Sequence, residues 1–163
     1  MKISGCILSL LLIFSCKQDD ESKYLVEHPQ ETFQIINKKF PEGSLFKDIN
    51  VFYDQTQYVL HVMAYEKGKL QEYRWQDNWW TPYASVNFSI DGKADIRDFL
   101  FLLDSDFKNR FSRKVDSLQK ANIHKKFRIM NWEITSPDHA SQGKRIIYKI
   151  TYQVDDSYFT IGD

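Results

Sequence analysis

Residues 58 to 76 read Tyr-Val-Leu-His-Val-Met-Ala-Tyr-Glu-Lys-Gly-Lys-Leu-Gln-Glu-Tyr-Arg-Trp-Gln, and this stretch decides the fold. Tyr58, Leu60, Val62 and Ala64 recur at the two-residue period of a strand, and Glu66-Lys67-Gly68-Lys69 turns. Gly68 stands where a tight hairpin needs a positive φ. The returning run, Leu70 to Gln76, sets Tyr73 and Trp75 on one face and Glu72 and Arg74 on the other. That is the pattern of an antiparallel sheet with one face covered.

Upstream, Ile49, Val51 and Tyr53 alternate as a third strand, joined to the pair through Asp54-Gln55-Thr56. Before it, His28-Pro29 opens a helix whose Phe33, Ile36 and Phe40 recur at helical spacing, and Pro41-Glu42-Gly43 ends it. Downstream, Asp77 to Tyr83 reads as an aromatic loop, Val86 to Ile90 as a strand and Asp91-Gly92 as a turn. The apolar run from Asp98 to Leu103 fits the opening of a helix or a buried strand. Its aromatic content, and the capping residues Asp104 and Ser105 behind it, favour the strand. Phe107, Phe111, Val115 and Leu118 then predict an amphipathic helix over about 105–121, with Asp106 four residues before Arg110.

Lys126 to Thr135 reads as a strand with Met130, Trp132 and Ile134 on one face, and Ser136-Pro137-Asp138 begins a polar loop that reaches Gly143. Ile146, Tyr148, Ile150, Tyr152 and Val154 point inward from the next strand, and a short strand, Tyr158 to Ile161, follows it. The expected class is therefore α+β, an antiparallel sheet with two helices packed on one face. Its halves read as two degenerate helix-plus-sheet repeats: Ile36 to Phe40 leads into 49–53, and Val115 to Ile123 leads into 127–135.

The chain has 163 residues, 42% of them apolar and 15% aromatic, with 22 basic and 22 acidic side chains. That composition builds a core, and the absence of a basic excess excludes a dedicated nucleic-acid binder. Two cysteines exclude a disulfide scaffold and a cysteine-rich zinc module. At the amino terminus Lys2 precedes an apolar run from Ile7 to Phe14, and Lys17-Gln18-Asp19-Asp20-Glu21 cuts it off. The run is too short for the roughly 20 residues of a spanning helix and reads as a secretory signal.

Ile13-Phe14-Ser15-Cys16 resembles a bacterial lipobox, with Phe14 in place of the small or β-branched residue usual there. The resemblance implies cleavage before Cys16 and acylation of it, by diacylglycerol and a further acyl chain, and no other cofactor is expected. The expected division is a signal peptide at 1–15, the lipidated cysteine and a polar tether at 16–27, and one α+β domain at 28–163. Processing removes Lys2 and leaves 21 basic against 22 acidic residues. Lys17 rather than Asp follows the cysteine, so the common inner-membrane retention signal is absent. The expected location is the outer membrane, on its periplasmic or cell-surface side.

The order of elements, with Lys67-Gly68-Lys69-Leu70 and Phe101-Leu102-Leu103-Asp104, resembles the PepSY-like proteins, whose fold is shared in outline with the beta-lactamase inhibitor protein. That resemblance would cover residues 28–163, and it implies a non-catalytic module that binds or inhibits other proteins.

Chemistry is sparse. His28, His61, His124 and His139 are widely spaced and form no metal-binding pair. His61, in a strand, can act as a base if a carboxylate faces it. No Gly-x-Ser-x-Gly elbow or phosphate loop is present. Asp104 with Asp106 reads as a helix cap and a dipole partner, Asp155 with Asp156 as a turn, and the basic stretch 108–128 as a solvated face. Trp79, Trp80 and Tyr83 are the candidate binding residues, because adjacent residues of an extended chain point to opposite sides and at least one tryptophan then faces solvent unless the loop folds back onto the core, which is the alternative.

These readings lead to a lipid-anchored, non-enzymatic module for a protein or peptide partner, inhibitory or immunity-like. A glycan-binding lipoprotein using the three aromatic residues is the second expectation, and an envelope hydrolase centred on His61 the third. Neither a metal nor nucleic acid is expected as a partner.

Overall fold

Positive φ angles at Lys67 and Gly68 (50° and 84°) and at Asp77 and Asn78 (52° and 63°) mark two tight hairpin turns. From them the strand order follows. The computed structural model describes residues 21–86, 95–136 and 146–162. In chain order the elements are α1 (Tyr24–Glu27), α2 (Pro29–Lys39), β1 (Leu45–Tyr53), β2 (Tyr58–Glu66), β3 (Lys69–Gln76) and β4 (Trp79–Val86). They continue with β5 (Phe101–Leu102), α3 (Ser105–Ala121), β6 (Phe127–Thr135), β7 (Ile147–Val154) and β8 (Ser157–Gly162).

The strands form one antiparallel sheet in the order β4-β3-β2-β1-β6-β7-β8, with β5 paired to the start of β1. A helix followed by a meander occurs twice, and the two meanders join where β1 pairs with β6, Val51 opposite Trp132. The α+β class and the helices on one face are as expected. The core between helices and sheet is dense in rings: Phe111 of α3 lies 5.3 Å from Trp132 and 5.5 Å from Tyr148, and Phe33 of α2 lies 6.0 Å from both Phe111 and Trp132. Asp104 caps α3 by accepting a hydrogen bond from the Phe107 amide at 2.7 Å, and Asp155 lies in the β7–β8 turn.

Four expectations need correction. Asp77 to Tyr83 is not a loop, because Asp77-Asn78 alone makes the turn and β4 begins at Trp79. The apolar stretch 98–103 supplies only the two-residue β5, after a 3-10 turn at Ile96–Phe99. The core face of β6 is Ile129, Trp132 and Ile134, because a bulge at Met130 shifts the alternation by one residue. Finally, the packed structure begins before residue 28. Leu25 and Val26 are fully buried, Tyr24 meets Trp75 edge to face, and the Thr32 hydroxyl donates to the Leu25 carbonyl at 2.7 Å. The expected strand 86–90 falls largely outside the described residues, as does most of the polar loop 136–143.

Candidate functional site on the open face of the sheet

Helices cover one face of the sheet, and the polar residues that alternate with the core line the other. Pairing sets them in rows. Thr81, Arg74, His61, Asn50, Glu133 and Lys149 are successive partners across β4, β3, β2, β1, β6 and β7. In the next row Glu72 faces Met63, which faces Asp48. Register alone therefore brings residues scattered between 48 and 149 into one cluster.

His61 lies between two carboxylates. Its Nδ1 is 3.6 Å from Asp48 Oδ1 and its Nε2 is 3.8 Å from Glu72 Oε1, and all three side chains are 15% to 19% exposed. Neither separation is a hydrogen bond, and Nδ1 is buried with no hydrogen-bond partner. Asp48 Oδ1 accepts a hydrogen bond from Asn50 Nδ2 at 2.8 Å. Burial pushes the Glu133 carboxyl above its ordinary range, and the neighbouring Asp48, through its charge and a hydrogen bond, adds to the shift, while Lys149 opposes it. Arg74 is held by Asp54 Oδ2 at 3.3 Å and lies over the Phe52 ring at 6.0 Å.

A basin of about 310 Å³ opens here, lined by Asn50, Phe52, His61, Glu72, Arg74 and Tyr83. It combines proton-exchanging groups, a guanidinium and two aromatic walls. Among the described residues its walls hold no serine, threonine or cysteine, and Tyr83 supplies the hydroxyl of the lining. A larger groove, about 700 Å³, runs between the end of α2 and the start of α3, but Asp104 in its wall is engaged as the α3 cap.

The three aromatic candidates separate. Trp80 faces Trp75 on the helix side and packs edge to face on Phe40 at 5.5 Å. Trp79 points the other way and is 73% exposed, while Tyr83 is the extra residue of a bulge opposite Glu72 and Tyr73, 68% exposed and in the wall of the basin. Cys16 and His139 lie outside the described residues, and His28 and His124 are exposed. Sequence reasoning singled out His61 but missed Asp48, Asn50, Phe52 and Glu72. Alternation set Glu72 and Arg74 on the outer face of their own strand, but only the register between strands makes Asp48, Asn50 and Phe52 their neighbours.

Among the described residues no helix is long and apolar enough to cross a membrane. No protein-family model matches the chain, and no curated protein matches it. A solved structure of a putative lipoprotein from Clostridium difficile 630 is similar at 15% identity, over 90% of this chain and 88% of that one, with a TM-score of 0.43.

Proposed function

We infer that the chain is a non-enzymatic binding module, anchored through lipid on Cys16 at the outer membrane, which offers the open face of its sheet to a protein or peptide partner. One observation carries the partner surface: the face left bare by the helices holds a basin in which the Glu72 carboxylate, an imidazole, a guanidinium and exposed Tyr83 converge. Such a mixture of aromatic and charged groups is what protein hot spots use. The side chains that line the basin, an amide, a guanidinium, a carboxylate and two aromatic rings around His61, are groups that pair with a peptide surface, and they support the binding reading. Because Trp80 turns into the core, the three aromatic residues make no shared platform for a sugar, and the protein reading is the stronger. An inhibitory or immunity role is the form of binding we favour for it.

Two measurements test this. Metabolic labelling with a fatty acid should mark the wild type and not Cys16→Ser; an unlabelled wild type removes the anchor. A photo-crosslinking residue at position 83 should trap a partner in cells, with loss of the adduct in Glu72→Lys, whereas the same group at Lys114, exposed on α3, should trap none. Adducts from 114 but not from 83 would place the partner on the wrong face for this reading.

A further inference from the structure

One end of the sheet gathers the exposed apolar side chains. The turns Asp54–Gln57, Asp77–Asn78 and Asp155–Asp156, together with residues 122–126 after α3, all lie there, because β1, β3 and β7 run toward it and β2, β4, β6 and β8 start from it. These turns touch: Gln57 Nε2 donates to Asp77 Oδ1 at 3.2 Å, and the Asp155 amide donates to the Lys126 carbonyl at 2.9 Å. Seven large hydrophobic side chains are exposed among the described residues, and five of them, Tyr53, Trp79, Ile123, Tyr158 and Phe159, sit within three residues of these turns. Single exposed apolar residues scattered over a surface need no explanation, but a concentration at one end does.

The amino-terminal segment joins the fold at the same end. Ser22 Oγ accepts a hydrogen bond from the Tyr58 amide at 2.6 Å, at the first residue of β2. Only five residue steps separate Cys16 from Glu21, and a fully extended chain covers at most about 3.6 Å per step, so roughly 18 Å of chain links an anchor at Cys16 to the packed structure. An acyl chain at Cys16 would therefore keep this end of the sheet the nearest to the bilayer. Tryptophan and tyrosine are the side chains that favour the headgroup boundary, where a ring is buried and its polar atom stays wet. Exposed Lys125, Lys126 and Arg128 share this end with exposed Asp77, Asp155 and Asp156, so charge over the end is balanced and apolar contact carries the attraction.

We propose that this end of the sheet docks on the surface of the bilayer that holds the Cys16 anchor, with Tyr53, Trp79, Ile123, Tyr158 and Phe159 reaching the headgroup boundary. The inference rests on the lipid anchor of the preceding reading. It gives Trp79 to the membrane and leaves Tyr83, further along β4, to the partner. Docking in this pose stands the sheet upright on the membrane and holds its open face clear of lipid.

The test uses the processed, acylated chain in vesicles of phosphatidylethanolamine and phosphatidylglycerol. Nitroxide labels are placed through Lys125→Cys at the docking end and Lys69→Cys at the other, and collisions with a water-soluble nickel chelate are measured. The expected result is loss of nickel access at 125 with full access at 69, unchanged at high salt. Trp79→Ser with Tyr158→Ser should restore access at 125 while leaving the thermal melt unchanged, and Tyr83→Ser should not. Equal nickel access at 125 and 69 in vesicle-bound chain overturns docking and leaves the anchor standing. Wild-type chain that fails to float with the vesicles overturns the anchor and docking together. Shelter at 125 that survives the double substitution, or that high salt abolishes, also overturns the proposal.

Discussion

The imidazole of His61 and the carboxylate of Asp48 face each other across β1 and β2 with Nδ1 and Oδ1 3.6 Å apart, close enough for charge to matter and too far for a hydrogen bond. On its far side Asp48 meets Glu133, whose carboxyl is pushed upward first by burial and then by Asp48. The open face therefore stores like charge in its middle, with Lys149 the cation that offsets part of it.

That arrangement fixes the sign of a pH effect. A carboxyl whose pKa is higher in the folded state than in the unfolded chain contributes stability that is fully present below the unfolded value and lost as pH rises through the folded value. Glu133→Gln should therefore raise the melting temperature at neutral pH and change it little below about pH 4, where an unfolded glutamate is itself largely protonated. Asp48→Asn should bring the Glu133 titration down only partway, because burial remains. Carbon-detected NMR titration of the Glu133 carboxyl, with melts at both pH values, checks both; a stabilisation by Glu133→Gln that is equal at the two would contradict the assignment.

Trp79 and Trp80 should differ sharply in stability although they are adjacent. Trp79→Ala removes a side chain that is 73% exposed and should leave the melt nearly unchanged, whereas Trp80→Ala opens a gap beside Phe40 and Tyr73 and should cost about 2 kcal/mol. Denaturant unfolding of the two single variants measures this. Equal losses would mean that β4 does not run in the register in which Trp80 faces Trp75.

The strands that alternate without interruption were legible in span and in face, whereas β1 and β6, which carry an extra residue, were legible as strands but not in full span or in every face. β2 and β3 follow from Tyr58 to Gln76, and α3 matches its expected span because Phe107, Phe111 and Val115 all reach the core. A period of two read back from Trp132 and Ile134 puts Met130 inside, but Met130 is itself the extra residue of the bulge, and the core face passes to Ile129 before it. Lys47 is the corresponding extra residue in β1, its Nζ bonded to Ser136 Oγ at 3.1 Å, and no local pattern announces it. Asp77-Asn78 reads as part of a loop because polar residues beside aromatic ones look irregular, yet both adopt the left-handed angles of a two-residue hairpin. The candidate site shared this fate: each side chain was visible on its own strand, and the register that assembles them is a long-range property.

Asp54 should make the β1–β2 turn sensitive to acid. Its carboxyl is held below the ordinary range, chiefly by the Thr56 hydroxyl, with the Gln57 and Thr56 amides and Arg74 adding to the shift. A depressed carboxylate contributes stability above its unfolded pKa and loses it as pH falls through the folded value. Asp54→Asn should therefore destabilise the protein at neutral pH and converge on wild type in acid. Because Arg74 would lose its partner beside the basin, the His61 ring resonances should shift in the same variant. Unmoved His61 resonances would separate the turn from the site.

Leu25 gives the sharpest test of where the fold begins. A polar tether through residue 27 would tolerate any substitution there, since a mobile segment has no packing to lose. Instead Leu25 is fully buried, its carbonyl accepts from Thr32, and the Glu27 carbonyl two residues later accepts from Gln119 Nε2 at 3.0 Å, so the segment is tied to both long helices. Leu25→Ala should cost roughly 2 to 5 kcal/mol, the range for a buried leucine, and Thr32→Val should add a smaller loss by leaving the Leu25 carbonyl unpaired. Trp132→Ala, at the centre of the ring cluster, should cost roughly 3 to 5 kcal/mol and sets the scale for a core residue. If Leu25→Ala unfolds at the wild-type denaturant midpoint while Trp132→Ala does not, the amino-terminal segment is not part of the cooperative unit. The roughly 18 Å limit on the membrane tether would then lengthen by the residues set free.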